Sequence, residues 1–306
     1  MNKEPRRVSF SQFQTWSNCP RQYKLKYVDK NTTYGSIATI FGTGVHETLQ
    51  QYLTVMFSET KKKANELDLP ALLMKHMKAA LLEEKAKLKK NGITDLTTVC
   101  TKGELKEHYE DGLLFLEWFK KPKNQAKFYW KKGMKLRGIE LPLEVKIRDG
   151  IVFIAYLDIV FENMVTKKIK IIDIKTSTKG WGHWQKGSDL KMSQIRLYKK
   201  FYSEQYDVDL SKINIAFHIM RRKVPQHSEF PIPRMSSYVP AHGSVSMNKA
   251  TRAFDEFVDT VFNDDGTFKI TEESDFVKIP SKLCEWCTFY QKKDGNGDIM
   301  CDGKED

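Results

Sequence analysis

Apolar positions along the chain keep two periods, and the switches between them mark out the elements. Phe10, Phe13 and Trp16 recur every third residue behind Ser9 and Ser11, either of which can cap a short helix over Val8–Cys19. Pro20 breaks that run, and Tyr23 and Tyr27 then share one face of a second helical piece. The stretch FGTGVHETLQQYLTVMF predicts two glycines leading into a helix with a buried stripe of Val45, Leu49, Tyr52, Leu53 and Met56. Residues 58–137 are helical in composition, rich in Leu, Ala, Lys and Glu through Glu66–Lys90 and amphipathic again over Leu105–Phe119. Asn91-Gly92 and Thr97–Thr101 form a loop between those runs.

After this region the period drops to two. Ile139, Leu141, Leu143, Val145 and Ile147 alternate across Gly138–Arg148, which predicts a strand. Two denser runs of Ile, Val and Phe follow, Ile151–Phe161 and Lys168–Thr176, and the polar connection between them predicts an antiparallel hairpin. Helical spacing returns over Ser188–Tyr206, Ile213–Met220 reads as another buried strand, and Asn248–Phe262 as an amphipathic helix ended by Asn263-Asp264-Asp265-Gly266. The order helix, three strands, helix, strand predicts a mixed α/β chain, with residues 1–306 forming one elaborated domain and 58–137 a helical insertion.

Charges inside apolar strands need a reason. Asp158 interrupts the first hairpin strand; Asp173 and Lys175 lie two apart in the second, so both leave the same face. Two carboxylates from neighbouring strands plus a lysine suit a hard divalent cation, Mg²⁺ or Mn²⁺, acting on a phosphodiester. The ion lowers the pKa of a bound water and takes up charge at phosphorus, while the ammonium orients that water. The Asp173–Lys175 pair also fits a solvated edge-strand ion pair. His46, beside the buried stripe, fits a hydrogen-bonded core histidine as well as a ligand. Gln194 and Tyr198 lie four apart and stack on one helix face.

Charge adds a partner class: 51 basic against 39 acidic residues give a formal charge of +12 and a pI near 9.2, which favours a polyanion. The basic, aromatic-laced stretch KKPKNQAKFYWKKGMKLR fits a solvated helix end or a surface that tracks a sugar-phosphate backbone. In TSTKGWGHWQKGSD, Trp181 and Trp184 among lysines are placed to stack unpaired bases or to pack as a lid. No apolar run reaches the roughly 18 residues of a membrane span and the N-terminus has no apolar signal core, so an intracellular, cytoplasmic protein without a membrane partner is expected. An odd count of five cysteines favours metal ligation over disulfides. Cys284 and Cys287 stand at chelating spacing, and Cys301 follows; a fourth thiolate, Cys19, would complete a site for zinc or an iron–sulfur cluster. The Asp294–Asp298 run has Ile299 where a calcium loop needs glycine.

Taken in order, SFSQFQTWSNCPRQYKLKY, FGTGVHETL, AYLDIV, IIDIKT, QIRLY and the terminal cysteines resemble the PD-(D/E)XK nuclease superfamily. Within it they are similar to the Cas4-like and RecB/AddB-like exonuclease branch of phage and archaeal-virus type. The resemblance implies a restriction-endonuclease-like core, a central mixed sheet flanked by helices, with an N-terminal helical region and residues 281–306 closing onto Cys19. It implies that His46, Asp158, Asp173 and the Ile174 carbonyl hold the metal, that Lys175 is the catalytic lysine, and that Gln194 and Tyr198 face the DNA. It also implies that Cys19, Cys284, Cys287 and Cys301 surround a 4Fe–4S cluster, with structural Zn²⁺ as the alternative. The implied activity is a Mg²⁺- or Mn²⁺-dependent DNA exonuclease acting on single strands or free ends in recombination, repair, replication or viral DNA processing, alongside protein partners of such a complex. A non-catalytic DNA-binding scaffold and a nuclease acting on RNA are the competing readings. The chain departs from the pattern at Ala155, where the family has glycine, and in the wide Cys287–Cys301 spacing; Glu144 is the candidate accessory acid on the first strand.

Overall fold

In the computed structural model, which describes residues 4–129, 133–225, 232–292 and 298–303, a mixed sheet carries helices on both faces. The chain enters through β1 (Arg6–Val8), α1 (Phe10–Asn18) and α2 (Pro20–Tyr23), which runs on into a π-turn over Lys24–Val28. The helical region follows as α3 (Ile37–Ser58), α4 (Lys61–Glu66), α5 (Leu69–Lys90), α6 (Lys102–Lys120) and α7 (Pro122–Phe128). Then come β2 (Met134–Arg148), β3 (Ile151–Asn163), β4 (Ile169–Ser177), α8 (His183–Gly187), α9 (Asp189–Tyr206), β5 (Ile213–Arg221), β6 (Met235–Tyr238) and α10 (Ser244–Val261). Residues 130–132 of the basic stretch and 294–297 of the Asp294–Asp298 run lie outside the described residues.

The sheet order is β1-β3-β4-β5-β6, with β2 antiparallel along the other edge of β3. The expected hairpin forms only at its base: β3 and β4 pair from Glu162↔Ile169 to Ile159↔Ile172, and there the ladder ends. The next residues on the two strands are Asp158 and Asp173, which therefore stand at a fork. Beyond it β4 keeps a full parallel ladder with β5, from Ile169↔Ile213 to Ser177↔Arg221. β3 meets β1 instead, at Arg6↔Ile151 to Val8↔Phe153.

Both faces of the sheet are covered, which is why β3 and β4 read as dense apolar runs. On one face Val160 and Ile171 pack with α1, α9 and α10, where Phe153 stacks on Phe201 at 4.2 Å. On the other, Ile159, Phe161, Ile172 and Ile174 pack with Ile40, Tyr52 and Phe119 from α3 and α6. Each such side chain contributes about 1.5–3 kcal/mol by leaving water.

The expected start of the third helix needs correction. It begins at Ile37, where Ser36 and Thr39 close a cap with Ser36 N–H donating to Thr39 Oγ1 at 3.3 Å, so Gly42 and Gly44 lie within the helix rather than before it. Close approach explains both glycines: a Cβ at Gly44 would overlap Met77 Cγ of α5, and one at Gly42 would sit 3.2 Å from Thr176 Oγ1 of β4. These contacts hold α3 against the fork. The C-terminal segment returns to the start of the chain, with Arg21 N–H donating to the Val277 carbonyl at 3.2 Å. Among the described residues no helix is long and apolar enough to cross a membrane.

Candidate active site and cysteine site

Tight packing of α3 on the sheet delivers His46 into the fork. Its Nε2 lies 2.9 Å from Asp158 Oδ2, and its Nδ1 lies 3.7 Å from Glu140 Oε1. Asp158 Oδ2 also accepts the Ile174 N–H at 2.6 Å, so this carboxylate spans the gap where the ladder stops. The N–H and C=O of one strand residue leave by the same edge, so the Ile174 carbonyl faces the fork as well. Asp173 is 2 % exposed, and its Oδ2 lies 2.9 Å from Lys175 Nζ. The buried carboxylate is thus paired with the ammonium two residues along its own strand.

Electrostatics follow from this crowding. Burial pushes the Asp173 carboxyl up to about 6 against the pull of Lys175, and Asp158 adds to the rise. Burial pulls the Lys175 ammonium down, but Asp173 and Asp158 outweigh it and the net shift is upward, so Lys175 stays charged. His46 behaves likewise: burial lowers it, and the bond to Asp158 with the charges of Asp158, Glu140 and Asp173 raises it further. Three carboxylates against two cationic groups, one lysine and one histidine, leave an acid-rich pocket that fits a hard divalent cation.

Glu140 is the residue that sequence reasoning missed. It lies between Ile139 and Leu141, which pair with Ile159 and Leu157, and so stands across from Asp158. Its backbone is left-handed, with φ 47°. Gln50, one turn after His46 on α3, donates to Glu140 Oε1 at 2.5 Å. His46, Glu140 and Asp158 offer ligand atoms within 4.8 Å of one another, the only such set of three or more among the described residues. Glu144, the expected accessory acid, lies instead at the surface, where Arg7 pairs with it at 3.5 Å with both side chains more than half exposed. The signal for Glu140 was an acid between two apolar strand positions, but Glu144 shows the same pattern.

Gln194 and Tyr198 meet as spaced, Gln194 Nε2 donating to the Tyr198 hydroxyl at 3.0 Å. Burial pushes the Tyr198 phenol up, and the charges of Asp173, Asp158 and Glu140 push it further. Trp181 packs on Phe217 at 4.9 Å, with Lys191 Nζ 5.3 Å over its ring, so that ring belongs to the core edge. Trp184, on α8, is 91 % exposed.

Of the four remaining candidates, one lies far from the other three in sequence, and all come together in space. Cys19, Cys284, Cys287 and Cys301 line one cavity with Leu25 and Phe289, and all are free thiols. Burial raises the Cys287 and Cys301 thiols, and neighbouring cysteines add to it: Cys301 and Cys19 for the first, Cys19 and Cys284 for the second. Four thiols converging on one cavity offer the donor set of a structural zinc or an iron–sulfur cluster. Cys100 stands apart in the helical core.

A sequence profile described as the PD-(D/E)XK nuclease superfamily matches residues 7–291. No curated protein matches the chain. A crystal structure from Eubacterium rectale, named "Putative exonuclease", is similar at 10% identity and a TM-score of 0.41, covering 81% of this chain and 77% of that one.

Proposed function

Because the chain belongs to the PD-(D/E)XK nuclease superfamily, we propose that it is a Mg²⁺- or Mn²⁺-dependent exonuclease of the Cas4-like type that degrades DNA from single-stranded or free ends. The observation that supports this reading is the fork, where His46 Nε2 lies 2.9 Å from Asp158 Oδ2 on one strand and Lys175 Nζ lies 2.9 Å from the buried Asp173 Oδ2 on the next. His46, Asp158, Asp173 and the Ile174 carbonyl would hold the ion. When bound, it supplies a Lewis acid that lowers the pKa of a water and takes up charge on the phosphate. Lys175, kept charged by its two acids, orients the attacking water and offsets the negative charge that grows at phosphorus. Tyr198 and Gln194, hydrogen-bonded to each other, set the approach of the strand in this reading. Trp184, held out on α8, offers a face for an unpaired base.

Cys19, Cys284, Cys287 and Cys301 hold a 4Fe–4S cluster in this reading. It would supply no chemistry at the fork; it ties residues 281–306 to the end of α1, and the chain works as one domain with 58–137 as an insertion. The formal charge of +12 supports a nucleic acid as the polyanion, and recombination, repair or viral DNA processing is the setting this reading proposes.

End-labelled single- and double-stranded DNA and RNA, incubated with Mn²⁺, Mg²⁺ or EDTA, test this. The expected result is progressive shortening of DNA that needs the metal. Cleavage of RNA alone moves the activity to the competing substrate, and binding without cleavage leaves a scaffold.

A further inference from the structure

We infer that Tyr156 is the platform on which the unpaired base next to the cleaved bond stacks, so that the open face of β2 and β3 beside the fork is a nucleotide subsite. The inference rests on the reading of the fork as a nuclease active site. Phe153, Ala155 and Leu157 turn inward and pack beneath α9 and α10. Tyr156 alternates with them along β3 and leaves by the opposite face. On that face Asp158, two residues further on, meets His46 of α3. The ring therefore lies about 6–7 Å along the strand from the acid. It is 53 % exposed, and among the described residues it is the only exposed large hydrophobic side chain on any strand. A base laid on it covers apolar surface that the fold leaves in water.

The neighbours of Tyr156 shape the platform. Pro142 of β2 pairs with it directly and is exposed as well, so the two side chains make one apolar step. Charged groups bound the step at both ends. On one side stand Asp158 and Glu140. On the other, Arg7 of β1 reaches Glu144 at 3.5 Å, and Glu144 is paired with Ile154, two residues before Tyr156. Both side chains of that ion pair are more than half exposed, so it is weak and the guanidinium is available to a phosphate. β1 leaves β3 at Phe153 and β4 joins it at Ile159. Among the described residues no strand borders Ile154–Asp158 on that side, and the step runs on without interruption to the fork.

Fluorescence anisotropy with a labelled single-stranded DNA oligonucleotide, bound to the full chain in EDTA so that it is not consumed, tests this as a cycle between protein and strand. Tyr156→Ala should weaken binding about 5- to 150-fold, and Tyr156→Phe or Tyr156→Trp should restore it. Tyr156→Thr, which keeps a β-branched strand residue, should behave as Tyr156→Ala does. An abasic nucleotide moved stepwise along the strand should cost wild type a comparable factor at one position and cost Tyr156→Ala nothing there. That position should adjoin the first bond cut when Mn²⁺ is added, and Trp184→Ala should remain sensitive to it. Tyr156→Ala that binds as wild type does, or whose loss is the same on intact and abasic strands, overturns this inference alone if wild type still cleaves with the metal. Wild type that cleaves no strand with Mn²⁺ or Mg²⁺ removes the active-site reading and this inference with it.

Discussion

The Ile174 N–H donates to Asp158 Oδ2 at 2.6 Å across the point where β3 and β4 part, so one side chain closes the fork and faces the candidate metal position. These two duties separate by substitution. Asp158→Ala leaves a partly buried N–H without its acceptor and should cost about 1–3 kcal/mol of stability. Asp158→Asn keeps an acceptor and should stay near wild-type stability, yet cleavage should be lost in both. Chemical denaturation alongside a DNA-cleavage assay checks this, and equal stability of Asp158→Ala and wild type would count against the structural duty.

Metal binding should weaken as pH falls through about 6. Asp173 has a folded pKa raised from 3.8 to about 6, so the folded state takes up its proton first as pH drops, and the neutral acid cannot balance a cation. His46, also raised, gains its proton in the same direction and adds to the effect. The sign for the ion-free protein is opposite: ionising a buried acid destabilises it as pH rises through about 6, and a bound cation offsets that. The rise in Tm on adding Mn²⁺ should therefore be larger at pH 7.5 than at pH 5.5, and Asp173→Asn should show little rise at either.

The two loop tryptophans should respond differently. Trp181 packs on Phe217, and Trp181→Ala should lower stability by about 2 kcal/mol or more. Trp184 is nearly free of the protein, and Trp184→Ala should leave Tm unchanged while weakening binding of single-stranded DNA by roughly 1–3 kcal/mol. Fluorescence anisotropy with a labelled oligonucleotide measures the second effect, and unchanged affinity would return Trp184 to the surface.

Protein purified without oxygen should be brown and contain iron and sulfide. Cys19→Ser and Cys284→Ser should each lose the colour and lower Tm, because a shared cluster joins the end of α1 to the C-terminal segment. Cys100→Ser, in the helical core, should do neither. A colourless protein with one zinc per chain would replace the cluster.

Much of the sheet was legible because β3, β4 and β5 bury both faces and stand out as unbroken apolar runs, against which Asp158, Asp173 and Lys175 were conspicuous. The start of α3 was not, since Gly42 and Gly44 read as breakers until Thr176 and Met77 are seen beside them. β1 and β6, three and four residues long, carry too little period to read. Glu140 was hidden for another reason: Lys135, Arg137, Glu144 and Lys146 make a charged residue on the open face of β2 ordinary, and only its left-handed backbone and its place opposite Asp158 set it apart. Spacing brought Cys284, Cys287 and Cys301 together, but only the return of the C-terminal segment to Arg21 brings Cys19 to them.

Wild type compared with Asp173→Ala and Lys175→Ala, on the same end-labelled DNA with saturating Mn²⁺, tests the central claim most directly. Both variants should bind DNA nearly as wild type does, because the basic surface supplies most of the backbone affinity, and both should cleave roughly 100-fold or more slowly. Cleavage by Lys175→Ala at the wild-type rate would contradict the assignment of the fork as the active site.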